Sequence, residues 1–184
     1  MPDSKIVHSD GEQIVSVNLK NPYIAGLLAW LAPGLGHFYQ GRYPKAIIFF
    51  FCIMSTFVAG CALGSSAEVG IARNVYWSMR RPNDMRFWWF AQAPLGLATI
   101  PSGIQAWHVN SSQPPPFGRF MAPPKLWQDR TGVAPTLDEI RQKLPLFELG
   151  TYLTVIAGLM NLLVIFDAMD GPFVSKREEK REAV

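Results

Sequence analysis

The stretch Ala46-Ile-Ile-Phe-Phe-Phe-Cys-Ile-Met-Ser-Thr-Phe-Val-Ala-Gly-Cys-Ala-Leu63 decides the fold class of this chain. Coiled as a helix, it is apolar around its whole circumference, and such helices lie in a large protein core or in lipid. It sits in a run without charge between Lys45 and Glu68. Because a bilayer core of about 30 Å requires about 20 helical residues, we predict a membrane span over residues 44–65.

Three further runs without charge suggest three more spans. These runs lie between Lys20 and Arg42, between Arg86 and Arg119, and between Glu148 and Asp167. We predict the corresponding spans at about 22–40, 87–108 and 148–168. The first is interrupted by Pro33-Gly34-Leu35-Gly36 and should kink there. The third contains Pro94 and Pro101, which leaves a bent span and a re-entrant element as alternatives.

The composition agrees with a membrane protein and excludes other classes. Of the 184 residues, 49% are hydrophobic and 17% are charged, whereas about 25% are charged in an average soluble domain. The net charge of +3 is spread over tails and loops, so no basic stripe for nucleic acid is present. Two cysteines are too few for a disulfide scaffold.

The chain divides into seven predicted segments. They are a polar cytoplasmic tail (1–20), a helical hairpin (21–66), a basic loop (67–86), the proline-containing third span (87–108), a proline-rich loop ending in a short amphipathic interfacial helix (109–147), the fourth span (148–168) and a charged tail (169–184). We therefore predict an all-α polytopic membrane protein with about four transmembrane helices, which has the lipid bilayer as a partner.

The distribution of Lys and Arg predicts the orientation. With four full spans and a cytoplasmic N-terminus, ten of these residues lie inside and seven outside. The positive-inside rule then places both termini in the cytoplasm of a multi-pass inner-membrane protein. A re-entrant third element would instead move the C-terminus outside.

Glycines spaced four or eight residues apart predict faces for helix packing. Gly60 and Gly64 form a G-x-x-x-G pattern in the second span, and Gly150 and Gly158 flank Thr154 in the fourth. Small residues allow membrane helices to approach closely. We expect a compact bundle, with a homo-oligomer or another membrane protein as alternatives for its partner.

The stretch Gly34-Leu-Gly-His-Phe-Tyr-Gln-Gly-Arg42 lies between two apolar helices and resembles the turn of the two-transmembrane domain family. In that family a glycine-rich helix end precedes a Phe-Tyr pair and then Gly-Arg. The matching residues here are Gly34, Gly36, His37, Phe38, Tyr39, Gly41 and Arg42, and Pro33 departs from the pattern. We expect the aromatic pair at the depth of the lipid headgroups and Arg42 on their phosphates.

The chain as a whole is similar to an uncharacterised family of bacterial membrane proteins of unknown function. The similarity includes Phe90-Ala-Gln-Ala-Pro-Leu-Gly-Leu-Ala-Thr-Ile-Pro101 and Tyr152-Leu-Thr-Val-Ile-Ala-Gly-Leu-Met-Asn-Leu-Leu-Val-Ile-Phe-Asp-Ala168. The resemblance implies a location and an architecture. It implies no reaction, cofactor or substrate.

A few polar residues in the predicted spans are candidates for specific roles. Gln92 and Asn161 lie at similar predicted depths, and a hydrogen bond between them would contribute about 0.6–2 kcal/mol. Asp167 opposes the dipole of the last helix, so we expect a salt bridge with Arg86, or else with Arg80 or Arg81. Simple solvation and a proton or ion relay remain alternatives for Asp167.

The sequence contains no recognisable arrangement for catalysis. His37 and His108 lack further ligands at metal-site spacing, and no nucleophile and base stand at a known spacing. We therefore expect no enzyme activity, no cofactor, no metal and no nucleic-acid partner. The leading hypothesis is a structural or accessory membrane protein that acts through protein or lipid contacts, and the alternative is a subunit of an oligomeric transporter or channel.

Overall fold

The structure, a computed structural model, describes residues 20–78, 86–111, 113–124 and 137–170. Its helices are α1 (Pro22–Leu31), α2 (Leu35–Tyr39), α3 (Tyr43–Leu63), α4 (Trp88–Gln92), a 3-10 segment (Ala93–Ala98), α5 (Ile100–Asn110), α6 (Leu137–Lys143) and α7 (Phe147–Asp170). The predicted all-α class is confirmed for this part of the chain, in which β-type pairing is confined to isolated bridges. The predicted polar and charged tails lie almost wholly outside the described residues.

Two helices, α3 with 21 residues and α7 with 24, are long and apolar enough to cross a membrane. They coincide with the second and fourth predicted spans. The two helices are antiparallel, because Lys45 lies beside Asp167 and Gly60 lies against Gly150. We call the end of the bundle at Asp167 end A and the end at Gly150 end B.

The α1 and α2 helices form a hairpin, hairpin 1 (residues 22–39), that starts at end A and turns back halfway along α7. Its turn lies near Asn161, whose side chain bonds the carbonyl oxygen of Ala29. Its two ends lie together, since the Lys20 ammonium is 4.8 Å from the centre of the Tyr39 ring. With ten residues, α1 is about 15 Å long, less than half the length of α7.

A second hairpin, hairpin 2 (residues 88–110), starts at end B and consists of α4, the 3-10 segment and α5. Its turn also reaches Asn161, which bonds the carbonyl oxygen of Pro94. The chain then doubles back, as the 2.7 Å hydrogen bond from Trp89 to Ser102 shows. A hairpin followed by a long helix thus occurs twice in the chain, and the second pair runs in the opposite direction to the first.

The predicted first and third spans are therefore not continuous helices. In each, a proline without an N–H and a glycine with positive φ reverse the chain, at Pro33 and Gly34 (φ 80°) and at Pro94 and Gly96 (φ 55°). The described residues contain two helices of spanning length, so a count of four spans is unconfirmed. The third element is bent and doubles back beside α7.

At end B, residues 64–78 and 113–124 pack with α6 into a cap over the ends of α3 and α7. Its apolar core consists of Val69, Tyr76, Ile140, Leu144 and Phe147. The predicted amphipathic helix α6 forms, and its apolar residues Leu137 and Ile140 pack in this cap. On the cap's surface, a 2.8 Å bond from Lys143 lowers the pKa of the Glu68 carboxyl.

The main core lies where α3, α7 and hairpin 2 meet. Its buried apolar side chains include Ile53, Phe57, Leu95, Ala157 and Val164. The outward faces of the two long helices are apolar as well, and they expose Ile47, Phe51, Val58, Leu163 and Phe166. The outer surface of the bundle is therefore apolar, whereas the buried polar residues of α7, which are Thr151, Thr154 and Asn161, face Arg86 and the two hairpins.

Candidate functional site

The turns of both hairpins meet at Asn161, which is fully buried halfway along α7. Its Nδ2 donates to the carbonyl oxygens of Ala29 (3.0 Å) and Pro94 (2.7 Å). In an unbroken helix the Ala29 oxygen would accept from the N–H of residue 33, but Pro33 has none. Asn161 therefore supplies the hydrogen bond that Pro33 removes, and it holds both turns on one side chain.

The two turns also contact each other directly. The Nε1 of Trp30 donates to the carbonyl oxygen of Ala93 over 3.2 Å. The carbonyl oxygen of Trp30 lies against the Cα of Gly96, where any Cβ would overlap it. Gly96 is thus required both by its positive φ and by this close approach.

Gln92 ties hairpin 2 to α7 nearer to end B. Its fully buried amide donates to Thr154 Oγ1 (2.7 Å) and to the carbonyl oxygen of Asn74 (3.4 Å). The predicted pairing of Gln92 with Asn161 is wrong, because Asn161 lies seven residues, about 10 Å, beyond Thr154 along α7. The two amides instead attach hairpin 2 to α7 at two positions, Gln92 near end B and Asn161 at the turn.

Arg86 is buried at end B, where it contacts neutral oxygens and aromatic rings. It donates to Thr151 Oγ1 (2.6 Å) and to the Tyr76 hydroxyl (3.1 Å). Its guanidinium carbon lies 4.5 Å from the Tyr76 ring centre and 5.1 Å from that of Phe147, a cation–π arrangement. No carboxylate within residues 20–78, 86–111, 113–124 and 137–170 pairs with Arg86.

Asp167 lies at end A, where three basic side chains contact its carboxylate. His37 Nε2 is 2.6 Å from Asp167 Oδ2, and Arg42 and Lys45 each have a nitrogen at 3.4 Å. The His37 ring is fully buried and its Nδ1 has no hydrogen-bond partner. A neutral ring that donates from Nε2 leaves only an acceptor unsatisfied, which is less costly than a buried, unpaired N–H.

The predicted salt bridge between Asp167 and Arg86 is wrong. Arg86 bonds Thr151, which lies sixteen residues, about 24 Å, from Asp167 along α7. The prediction assumed that residues 22–40 span the bilayer, which would put Arg42 and Asp167 on opposite faces. Hairpin 1 turns back instead. The end of the motif at residues 34–42 therefore lies at end A, beside Asp167.

The motif shared with the two-transmembrane domain family forms the second arm of hairpin 1 and its connection to α3. The exposed rings of Phe38 and Tyr43 make an edge contact at 5.0 Å, and Tyr39 is partly buried against Ala25 and Ala29. Arg42 does not extend to lipid phosphates as we predicted. Its side chain is 14% exposed and turns inward to Asp167.

The glycines of this motif permit close approach of the backbone. A Cβ on Gly34 would overlap the carbonyl oxygen of Ala46, and one on Gly36 would overlap that of Ala25. Gly41 has a positive φ but faces open space. The first two glycines therefore let α2 lie directly on α1 and α3.

The four glycines predicted to pack helices all lie at contacts of α7 or of α3. Gly60 and Gly150 lie against each other's carbonyl oxygens, and Gly158 lies against the carbonyl oxygen of Ala91. The buried side chain of Asn74 occupies the space beside Gly64 and donates 3.0 Å to the carbonyl oxygen of Gly60. The loop residue Asn74 is thereby wedged between the ends of α3 and α7.

Sequence reasoning missed the buried polar residues of the segment we predicted as a basic loop. Arg73, Asn74 and Tyr76 are at most 1% exposed. Polar residues in a loop are normally solvated, so their types gave no sign of burial. The sequence signal for this burial was the set of glycines at Gly60, Gly64 and Gly150. Glycines leave space between α3 and α7, and the Asn74 side chain fills it.

The described part of the chain shows no group of three or more His, Cys, Asp or Glu side chains that could hold a metal ion. The polar groups instead form three clusters along α7, at Asp167, at Asn161 and at Thr151.

Comparison with known proteins identifies a family but no activity. The model of a family described as a family of unknown function (DUF6677) matches residues 24–181. The predicted membership in an uncharacterised family is therefore confirmed. No curated protein and no solved structure matches the chain.

Proposed function

The chain belongs to this family of unknown function, and we propose that it is an integral inner-membrane protein with two spanning helices and two re-entrant hairpins. In this proposal α3 and α7 cross the bilayer, hairpin 1 enters from end A and hairpin 2 from end B. A hairpin arm of about 15 Å reaches the middle of a hydrocarbon core of about 30 Å. The observation that supports this most directly is the meeting of both turns at Asn161.

The hydrogen bonds at the turns meet the main physical requirement for such an insertion. Non-helical backbone is tolerated at membrane depth only where it is covered by protein or lines a water-filled cavity. Here the carbonyl oxygens of Ala29, Ala93 and Pro94 each accept a side-chain hydrogen bond from within the bundle. Between their charged ends, the exposed side chains of α3 and α7 are apolar except for that of Ser55, whose hydroxyl donates to the carbonyl oxygen of Cys52 in its own helix.

This topology places both ends of the described chain on one face and changes the orientation argument. Residues 1–45 and 170–184 then share one face and contain eight Lys and Arg residues, whereas residues 66–147 contain nine. The charge difference that favoured cytoplasmic termini therefore disappears. We retain the proposal that both termini share a face.

We further propose that the protein has a structural or accessory role, exerted through protein or lipid contacts and without a catalytic step. Its buried polar side chains are used to hold elements together, as at Asn161, Gln92 and Arg86. Hairpin 1 packs on α7 through an apolar cluster of Ala25, Ala29 and Ala168, against which Ile165 also packs. Ile165 lies between Asn161 and Asp167, which are about 9 Å apart along α7, so apolar contacts lie between the polar groups at these two positions.

The alternative, a subunit of an oligomeric transporter or channel, is favoured by one observation. The hairpin-and-helix unit occurs twice in opposite directions, and its interrupted helices meet at mid-depth. Secondary transporters commonly combine inverted repeats with broken helices in this way. Because of the apolar cluster, such an activity would require a path formed between subunits or in another conformation.

Cysteine accessibility in intact cells or vesicles tests the topology. Single cysteines replace Lys20 and Tyr43 in a background in which Cys52 and Cys61 are alanine. We expect both to react with a membrane-impermeant thiol reagent from the same face, because hairpin 1 returns to the face that it leaves. Labelling from opposite faces would show that residues 22–40 span the bilayer.

The same comparison tests hairpin 2 with cysteines at Glu68 and Gln113, which are exposed at end B. We expect both to react from the face opposite to Lys20. If the third element spanned the bilayer, these two positions would be labelled from different faces.

Purification of the full chain in native-lipid nanodiscs tests the activity. A structural or accessory role predicts a partner protein of fixed stoichiometry, or a specific set of retained lipids, and no ion or solute flux when the purified chain is placed in liposomes. A symmetric oligomer that conducts ions in liposomes would favour the alternative. Chemical turnover of a substrate would refute both.

A further inference from the structure

Of the two histidines that the structure describes, His37 and His108, only His37 is fully buried. Its Nε2 lies 2.6 Å from Oδ2 of Asp167, and the ring of Phe49 on α3 contacts it edge to face, with 5.0 Å between the ring centres. The other ring nitrogen, Nδ1, is buried without a hydrogen-bond partner. A histidine in water changes its charge near pH 6.5, so a modest fall in pH acts on this ring.

In the described residues, three charged groups face the His37 ring. The helix α7 contributes Asp167, α3 contributes Lys45, and the residue before α3 contributes Arg42. The helix α1 contributes none, because its one ionisable side chain, Tyr23, is 75% exposed at the start of the helix. The carboxylate of Asp167 therefore has two full positive charges beside it even when His37 is neutral.

A second proton on His37 is unfavourable while hairpin 1 is attached to α7. The proton turns Nδ1 into a donor, and a buried N–H without an acceptor is costly. It also adds a third positive charge beside one carboxylate, in a place where water does not reach the ring. The stronger bond from Nε2 to Asp167 offsets only part of this cost, because Arg42 and Lys45 already neutralise that carboxylate. In a detached hairpin, water hydrates both ring nitrogens, so the detached state binds the proton more readily.

Three side chains attach the end of hairpin 1 to α7. His37 and Arg42 contact the carboxylate of Asp167, and Gln40 Nε2 donates to the carbonyl oxygen of Ala168 over 2.7 Å. All three belong to one stretch of six residues, from 37 to 42. Because these bonds share one short segment, the loss of the bond from His37 also weakens the other two.

We propose that His37 is a pH sensor whose protonation releases hairpin 1 from α7 at end A. The detached state binds more protons than the attached state, so attachment strengthens as the pH rises and is lost as the pH falls below about 6.5. Release exposes to water the apolar contacts that lie between Asp167 and Asn161. The inference depends only on the described fold, and it holds for an accessory protein as well as for a transport subunit.

Distances between spin labels test the release in the purified full chain in detergent. Labels are attached at neutral pH to cysteines that replace Phe38 and Phe166, which are exposed on α2 and α7, in a background in which Cys52 and Cys61 are alanine. We expect a longer distance to appear on acidification, with a population at pH 5 at least about five times that at pH 8. An unchanged distance distribution over this range would overturn the proposal.

Two controls show whether the response belongs to hairpin 1 and to His37. Labels at Val58 and Leu163, exposed on α3 and α7, should keep a constant distance, and a parallel change there would show general unfolding in acid and refute the release. The double variant His8→Gln with His108→Gln leaves His37 as the last of the three histidines. It should respond to pH as the wild type does, and loss of its response would refute the assignment to His37.

The variant His37→Gln removes the titration and keeps the bond, since the glutamine amide can replace Nε2 as the donor to Asp167. We expect it to stay attached at pH 5, and a wild-type response would refute the sensor. If this variant does not fold, Asp167→Asn decides. Its amide oxygen still accepts from neutral His37 but brings no negative charge to the protonated ring, so release should occur at higher pH. A response that is absent or unshifted in Asp167→Asn would refute the sensor.

Discussion

The carbonyl oxygen of Ala29 and the side chain of Asn161 are 132 positions apart in sequence and share a 3.0 Å hydrogen bond. Pro33 creates the need for this bond by removing the N–H that would otherwise reach the Ala29 oxygen. Asn161 meets the need and bonds Pro94 with the same nitrogen. A break in one helix is thereby compensated by a side chain of another.

Asn161→Leu should lower the free energy of unfolding by about 1–3 kcal/mol, because the oxygens of Ala29 and Pro94 lose a buried partner. If the loss of stability depends on the residue at position 33, the missing N–H of Pro33 is its cause. In a Pro33→Ala background the restored N–H can bond the Ala29 oxygen, so the same substitution should cost less. Reversible unfolding in detergent measures the stability of the four proteins of this double-mutant cycle. Equal costs in both backgrounds would contradict the compensation.

Gly158→Ala should destabilise the bundle by about 1–3 kcal/mol, because the new Cβ overlaps the carbonyl oxygen of Ala91 and pushes α4 away from α7. The matched control is Gly103→Ala in α5, where the nearest atom is a ring carbon of Trp89 at 3.5 Å. There, better helix propensity should keep stability unchanged or raise it by up to about 1 kcal/mol. Thermal midpoints of the two variants test this contrast, which similar losses would refute.

Thr151→Val should cost about 1–3 kcal/mol of stability, since it takes from the buried Arg86 its 2.6 Å acceptor. Thr56→Val is the control. The Thr56 hydroxyl bonds only the carbonyl oxygen of Cys52 in its own helix, and the expected change is below about 0.5 kcal/mol. Denaturant titration of both variants measures the difference. A change below about 0.5 kcal/mol in Thr151→Val as well would show that Arg86 is held by its other contacts.

Asp167→Asn should destabilise the attachment of hairpin 1 by about 1 kcal/mol, because Arg42 and Lys45 lose an opposite charge while His37 keeps an oxygen to bond. Asp167→Leu should cost more, since it leaves His37 Nε2 buried without a partner. Protease susceptibility of the turn at residues 40–42 reports this detachment.

The control for Asp167 is Glu68→Gln, which removes an exposed ion pair with Lys143 at end B. It should leave cleavage of the turn unchanged. Equal cleavage of all three variants and the wild type would show that Asp167 does not hold the turn.

The long helices could be predicted from the sequence because their signal is local. The apolar run of Ala46 to Leu63 and that of Leu149 to Phe166 specify a helix wherever they lie. The breaks at Pro33 and Pro94 were visible too, yet their consequence was not. A proline followed by a glycine predicts that a helix bends. The direction in which the chain continues after the bend depends on distant contacts, such as that of Ala29 with Asn161.

The partners of the polar residues could not be predicted for the same reason. Assigning Arg86 to Asp167 assumed that residues 22–40 form one continuous span, and the reversal of hairpin 1 instead brings His37, Arg42 and Lys45 to Asp167. The packing role of the glycines was easier to predict. A glycine in an apolar helix allows close approach of a neighbour, whether that neighbour is a helix or a loop. The sequence did not indicate that the approaching atoms at Gly64 belong to the loop residue Asn74.

The position of α7 in the chain has a consequence for biosynthesis. Hairpin 1 emerges first from the ribosome, but the groups that complete it, at Asn161 and Asp167, are made about 130 residues later. At roughly 5–20 residues per second this delay lasts on the order of 10 s. During that time the Ala29 oxygen and the His37 ring lack the partners that they have in the folded bundle, so hairpin 1 is completed only when α7 has been made.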